Sequence, residues 1–215
     1  MKTVLRWLAA LTIPFLLTTA AVAKDYREGD GYTVLANPQP TSSGEKIEVL
    51  ELFWYGCPHC YDLEPYIRKW LDGKPDDVVF VRLPAIVGPR WELLARAYFT
   101  AELLGVLDKV HPALFDAIHA EHREINDEGA LEAFFVEQGV AAEDFRGTFN
   151  SFAVAVKTNT AKMKTRQYAI TGVPTVIVNG KYSTSGRQAG SNQGIIDVVR
   201  YLIKQERSTG KADAG

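Results

Sequence analysis

The stretch Glu51-Leu52-Phe53-Trp54-Tyr55-Gly56-Cys57-Pro58-His59-Cys60-Tyr61 decides how the chain reads. Its first part continues a β-type run that begins at Ile47. Ile47, Val49, Glu51 and Phe53 share one face of that run, and Leu50, Leu52 and Trp54 the other. A strand that is apolar on both sides belongs in the middle of a sheet. After Gly56 the period changes, because Cys60, Leu63, Ile67, Trp70 and Leu71 recur at helical spacing and Pro58 stands where a first helical turn tolerates proline. A central strand therefore feeds directly into a helix, and both cysteines of the chain lie at the junction.

That position has chemical consequences. The first turn of a helix presents unpaired N–H groups and the positive end of the helix dipole, both of which favour an anion. A thiolate at Cys57 is such an anion, and a depressed thiol pKa raises the fraction available as nucleophile or leaving group in thiol–disulfide exchange. Cys60 shares its stripe with Leu63, Ile67 and Trp70, so it is expected to be buried and resolving, with Cys57 exposed and open to attack. Stabilising the thiolate favours the reduced pair, so the Cys57–Cys60 disulfide is expected to be given away readily. Pro58 restricts the loop, and His59 is expected to help by hydrogen bonding or charge.

Other uses of the same four residues fare worse. A c-type haem site needs His after the second cysteine, where this chain has Tyr61, and a zinc site needs ligands that no second cysteine pair supplies. His119 and His122 fit no zinc-protease spacing and read as a solvated helix face. No metal is expected. A purely structural disulfide stays open, although a four-residue loop closes little chain entropy.

Outward from the motif, Val78 to Leu83 is a second strand run, which with the first strand and the helix makes a βαβ unit. Residues 89 to 170 carry no convincing strand. They show four helical stripes, led by Leu94, Tyr98 and Ala101, then Leu114, Phe115 and Ile118, then Leu131, Phe134 and Phe135, and last Phe145, Phe149, Phe152 and Val156. The β pattern returns at Thr175 to Val178, followed by Asn179-Gly180, a strong hairpin signal. An amphipathic helix with Ile195, Ile196, Val199, Leu202 and Ile203 closes the chain, and Ser208 to Gly215 is expected to fray. Before the motif, residues 24 to 44 read as a polar leader with one short strand at Tyr32 to Leu35.

Composition is that of a soluble globular protein: 215 residues, 47% hydrophobic, 23% charged, formal charge −2. No run of like charges points to nucleic acid. Lys2 and Arg6 precede an apolar stretch from Trp7 to Leu17 and the small-x-small run Ala21-Val22-Ala23, the layout of a secretory signal with cleavage expected after Ala23. Its removal takes away two bases and no acids, moving the charge from −2 to −4. Export would place the cysteines in an oxidising compartment.

Glu51 through Tyr61, together with Gly172-Val173-Pro174 and Val178-Asn179-Gly180-Lys181-Tyr182, resembles the DsbA family of bacterial periplasmic dithiol oxidases. The resemblance runs in order along the whole chain after the signal. It implies an α/β, thioredoxin-like fold with an inserted helical domain: residues 24–87 and 160–215 form the thioredoxin-like part, and 88–159 the insertion. It implies that Val173-Pro174 is a cis peptide beside the cysteines, with Val173 pairing to substrate backbone; an X-Pro bond is otherwise cis only ~5% of the time.

Glu51, an acid on an apolar strand face, is implied to exchange a proton with Cys60, its burial favouring the protonated form. Arg82 stands where the family often has lysine, with a charge suited to pairing with Glu51. Glu64 reads as a solvated acid, and Pro65 is expected to kink the helix.

The expected function is therefore donation of the Cys57–Cys60 disulfide to folding exported proteins with free thiols. No cofactor beyond that disulfide is expected, and the chain should act as a monomer in the periplasm. The resemblance implies reoxidation by a membrane-bound, quinone-linked partner of the DsbB type. The alternatives are a disulfide reductase or isomerase of the same fold, whose members often carry Thr where this chain has Val173, and a non-redox peptide-binding chaperone with a structural disulfide.

Overall fold

The computed structural model describes residues 25–212, so the secretory-signal reading of residues 1–23 lies outside the described residues. Six strands form one mixed sheet. They are β1 (Arg27–Glu28), β2 (Gly31–Val34), β3 (Ile47–Phe53), β4 (Val78–Pro84), β5 (Thr175–Val178) and β6 (Tyr182–Ser185), in the spatial order β1-β2-β6-β5-β3-β4. The strand ending at the cysteine motif sits between β5, antiparallel, and β4, parallel. That placement agrees with its two apolar faces and explains why it is buried along almost its full length. The β3–β4 register puts Glu51 directly opposite Arg82.

Helix α1 (Pro58–Leu71) starts at the motif and contains Pro65. The block between β4 and β5 is α2 (Pro89–Leu103), α3 (Leu107–His119), α4 (Glu128–Glu137), α5 (Ala142–Phe149) and α6 (Phe152–Gln167). After β6 come the single turn α7 (Gly186–Ala189) and the long helix α8 (Asn192–Ala212). On one face of the sheet, Val49, Val176 and Val178 pack with Leu63, Ile67 and Trp70 of α1 and with Ile195, Val199 and Leu202 of α8. On the other face, Leu50, Leu52 and Ile177 join Leu114, Phe115, Phe134, Phe135 and Phe145 of the helical block. Two apolar layers thus sandwich the sheet, which is the thioredoxin-like α/β arrangement.

The hairpin signal is realised: Asn179 and Gly180 take φ of 50° and 65°, and Lys181 N–H returns to the Val178 carbonyl. Gly180 is required on two counts, since a Cβ there would also lie 2.0 Å from the Gln39 carbonyl oxygen.

Three expectations need correction. The fourth helical stripe is two helices, because Ser151 caps α6 by accepting from Val154 N–H and breaks the chain after α5. Phe152 and Val156 then fall outside the core, Phe152 being 84% exposed. His119 ends α3 and His122 lies beyond it with φ 55°, so they share no helix face. The segment expected to fray from Ser208 continues α8 as far as Ala212 within the described residues, and the Ser208 and Thr209 hydroxyls return to the Lys204 and Gln205 carbonyls.

Candidate active site

Cys57 is the N-cap residue of α1, with extended backbone, and Pro58 opens the helix at a position whose missing N–H has no intrahelical partner to lose. The turn into it is tight. Cys57 N–H bonds to the Trp54 carbonyl at 2.9 Å, and Gly56 lies against the Trp54 indole so closely that a Cβ would fall 2.4 Å from the ring. The Trp54 ring in turn stacks on Trp91 of α2, with centroids 4.4 Å apart and planes at 16°. The strand-to-helix corner is thereby held by an aromatic platform from the helical block.

Both cysteines are thiols in this structure. A hydrogen bond from the Cys60 side chain holds the Cys57 thiol down at about 6, against the opposing effect of burial. The backbone N–H groups of Cys60 and His59 and the charge of the His59 ring add to the lowering. Cys60 is driven strongly the other way by burial and by the neighbouring Cys57 sulfur. One sulfur is built to be an anion and the other to keep its proton.

Cys57 is only 8% exposed, less open than its place at the helix mouth suggested. The reason is the loop before β5, where Val173–Pro174 is a cis peptide and the Val173 carbonyl accepts from Cys57 Sγ at 3.4 Å. Pro174 is buried, Val173 half-buried, and Pro58 and His59 are exposed. The His59 ring lies 4.0 Å from Asp62. The structure thus brings Cys57, Cys60, Pro58, His59, Val173 and Pro174 to one place.

Glu51 lies beneath this group, fully buried. Burial pushes its carboxyl up to about 8, with Arg82 opposing and Glu64 reinforcing the shift. Arg82 Nε donates to Glu51 Oε2 at 3.1 Å, while Oε1 is buried with no hydrogen-bond partner.

Glu64 is not solvated as expected. It is 6% exposed and receives the Arg82 Nη2 group on both oxygens, at 3.1 and 3.0 Å, because Arg82 crosses from β4 to α1. His111 also reaches Glu64, Nε2 to Oε1 at 3.2 Å, and its Nδ1 lies 2.8 Å from the Tyr55 hydroxyl. Burial works to raise the Glu64 carboxyl, but the His111 and Arg82 contacts outweigh it and hold it low.

His111 and Trp91 were not singled out from the sequence, Tyr55 was given no role there, and His119, read as part of a solvated face, is instead part of this site. His119 is half-buried, stacked on Tyr61 and 2.7 Å from the Tyr55 carbonyl oxygen. The available signal was spacing, since His111 lies three and four residues before Leu114 and Phe115 on the same apolar stripe.

Residues 75–193 match the family model of the DSBA-like thioredoxin domain. Over 203 residues the chain is 43% identical to the thiol:disulfide interchange protein DsbA of Pseudomonas aeruginosa, covering 94% of this chain and 96% of that one. It is 39% identical over 210 residues to DsbA of Azotobacter vinelandii, covering 96% and 98%. The crystal structure of Pseudomonas aeruginosa DsbA matches with a TM-score of 0.82 at 44% identity, over 86% of this chain and 97% of that one. Oxidoreductase DsbA from Xylella fastidiosa matches with a TM-score of 0.79 at 31% identity, over 85% and 98%.

Proposed function

Since this chain belongs to the DSBA-like thioredoxin family and is a thiol:disulfide oxidoreductase of the dithiol oxidase type, we propose how its residues divide the reaction and where it runs. In the oxidised protein a substrate thiolate attacks Cys57 Sγ, and the Cys57–Cys60 bond breaks with its electron pair moving to Cys60. Cys60 takes a proton from Glu51, which is refilled from water. A second substrate thiolate then attacks the substrate sulfur of the mixed disulfide and displaces Cys57 as a thiolate. Two electrons pass from the substrate dithiol to the protein. Cys60 ends protonated and Cys57 ends as the anion.

The observation that carries this reading is the opposed pair of thiols, Cys57 held down at about 6 and Cys60 pushed far up. A low pKa makes Cys57 a good leaving group in the second step, and a high one makes Cys60 the sulfur that keeps its proton. Pro58 and His59 shape and charge the helix mouth. Val173 and Pro174 present the substrate-facing edge, at the seam between the thioredoxin-like part (24–87 with 160–215) and the helical insertion (88–159). Glu51 supplies the proton, a role supported by its burial in the protonated range near neutral pH.

The substrates in this proposal are unfolded or folding exported proteins, and the site of action is the periplasm after signal cleavage at Ala23. The protein works as a monomer, uses no cofactor beyond the Cys57–Cys60 pair, and is reoxidised by a membrane quinone-linked partner of the DsbB type. Equilibration of the purified protein against glutathione buffers tests the direction of electron flow. The disulfide should be lost even when oxidised glutathione predominates. Retention of the disulfide in excess reduced glutathione would assign the protein to the reductases instead.

A further inference from the structure

The buried polar groups behind Cys60 form a single chain that the disulfide chemistry itself does not require. It runs from Glu51 on β3 to Arg82 on β4, then to Glu64 on α1, to His111 on α3, and ends at the hydroxyl of Tyr55. One guanidinium serves two carboxylates, so what Glu64 takes from it Glu51 loses. Arg82 gives Glu51 one contact, through Nε, and gives Glu64 both of its Nη2 contacts.

His111 has a fixed orientation in this chain. Burial holds the Tyr55 phenol well above its usual range, so its hydroxyl keeps its proton and donates to Nδ1 of His111. Burial also holds the imidazole below its usual range, hence neutral, and its one N–H is then Nε2–H, which points at Glu64 Oε1. Phe53, Tyr98 and Phe115 meet the His111 ring edge to face and leave it little room to turn.

We propose that His111 is a positioning residue for the dithiol reaction: by donating Nε2–H to Glu64 it satisfies part of that carboxylate, and so keeps the Nε of Arg82 on Glu51, the acid and base for Cys60. The inference rests on the role given to Glu51 above. The charged and titratable groups around the chain are Cys60, Arg68 and Glu64 on α1, Arg82 on β4, Tyr98 on α2 and Asp108 on α3. Arg68, Arg82, Tyr98, Asp108 and His111 also line a cavity of about 360 Å³ with Glu64, at the His111 end of the chain.

The test reads the return step of the same chemistry in isolation. Reduced protein is mixed with dithionitrobenzoate in a stopped-flow instrument. Cys57 attacks first, forming a mixed disulfide and releasing one thionitrobenzoate. Cys60 then gives its proton to Glu51 and attacks Cys57 Sγ; the Cys57–Cys60 bond forms and the second thionitrobenzoate leaves with the electron pair. The rate of that second release, followed against pH, should inflect near the pH at which Glu51 titrates, about 8.

In His111→Leu, Glu64 is left short of a donor and draws Arg82 further from Glu51. The inflection should rise by about one pH unit, the scale of one hydrogen bond to a charged group. His111→Gln, which can still donate to Glu64, should bring it back toward the parent value. Glu64→Gln frees Arg82 for Glu51 and should move the inflection down, a reversal of sign that general loosening of the fold would not produce. Glu51→Gln should remove the inflection.

If Glu51→Gln removes it but His111→Leu and Glu64→Gln both leave it in place, the positioning role is overturned and that of Glu51 stands. If Glu51→Gln leaves the profile unchanged, the proton role of Glu51 falls first, and the role of His111 with it.

Discussion

At the scale of single residues, the site turns on two sulfurs three positions apart that are given opposite characters. Cys57 receives donors from Cys60 and from the N–H groups of the first helical turn, whereas Cys60 is sealed beneath it. Cys60→Ala is expected to stop the protein at the first stage, with a substrate protein held on Cys57 in a mixed disulfide visible on a non-reducing gel. Replacing His59 by Leu removes the ring charge that, beside the hydrogen bonds, lowers the Cys57 thiol. The thiolate absorbance at 240 nm should then titrate higher by up to about one pH unit, and the protein should become a weaker oxidant.

Much of this was legible because it depends on local sequence. The Cys57-Pro58-His59-Cys60 spacing, the change of period at Gly56 and the strand acid Glu51 can all be read along the chain. The fate of Glu64 was not. Helical spacing places it beside the buried stripe, but only the crossing of Arg82 from β4 and of His111 from α3 makes its burial tolerable, and those partners are 18 and 47 residues away.

At the scale of elements, the site is an intersection of a strand end, a helix start and a loop. The β3–β4 register sets Arg82 against Glu51, and the β3–β5 register, with Thr175 opposite Leu52, sets where the preceding Val173–Pro174 lies relative to Cys57. The hairpin that follows β5 is easier to perturb. Gly180→Ala meets both an unfavourable φ of 65° and the Gln39 carbonyl, so it should destabilise the fold by about 1–3 kcal/mol, measurable as a lower denaturation midpoint at unchanged slope.

Element boundaries were harder to read than element types. Phe145, Phe149, Phe152 and Val156 look like one stripe because the period survives the break at Asn150 and Ser151. What ends it is a side-chain cap, Ser151 Oγ to Val154 N–H, and an equally ordinary serine in a loop would look the same in sequence. Ser151→Ala should cost about 1 kcal/mol of stability, whereas Phe152→Ser, at an exposed position, should cost almost nothing.

At the scale of the whole molecule, two apolar layers on either side of the sheet hold an otherwise ordinary α/β protein together, and the helical block supplies parts to the site as well as mass. Trp91 braces the corner at Trp54, His119 reaches the Tyr55 carbonyl, and His111 closes the buried polar chain. The central claim is that the fold holds the Cys57 thiolate in preference to the disulfide, and it carries a definite pH signature. A thiol whose folded pKa is depressed from 9.0 to about 6 stabilises the reduced protein fully above pH 9 and loses that contribution as pH falls through 6.

At pH 7 the contribution is about 1 kcal/mol and at pH 8 roughly 3 kcal/mol, against ~2 kcal/mol for cross-linking so short a loop. The direct test is to melt the reduced and oxidised forms side by side from pH 5 to 9. The reduced form should gain steadily on the oxidised form as pH rises and be the more stable of the two at pH 8. An oxidised form that stays more stable at every pH, by a margin that does not change, would contradict the central claim.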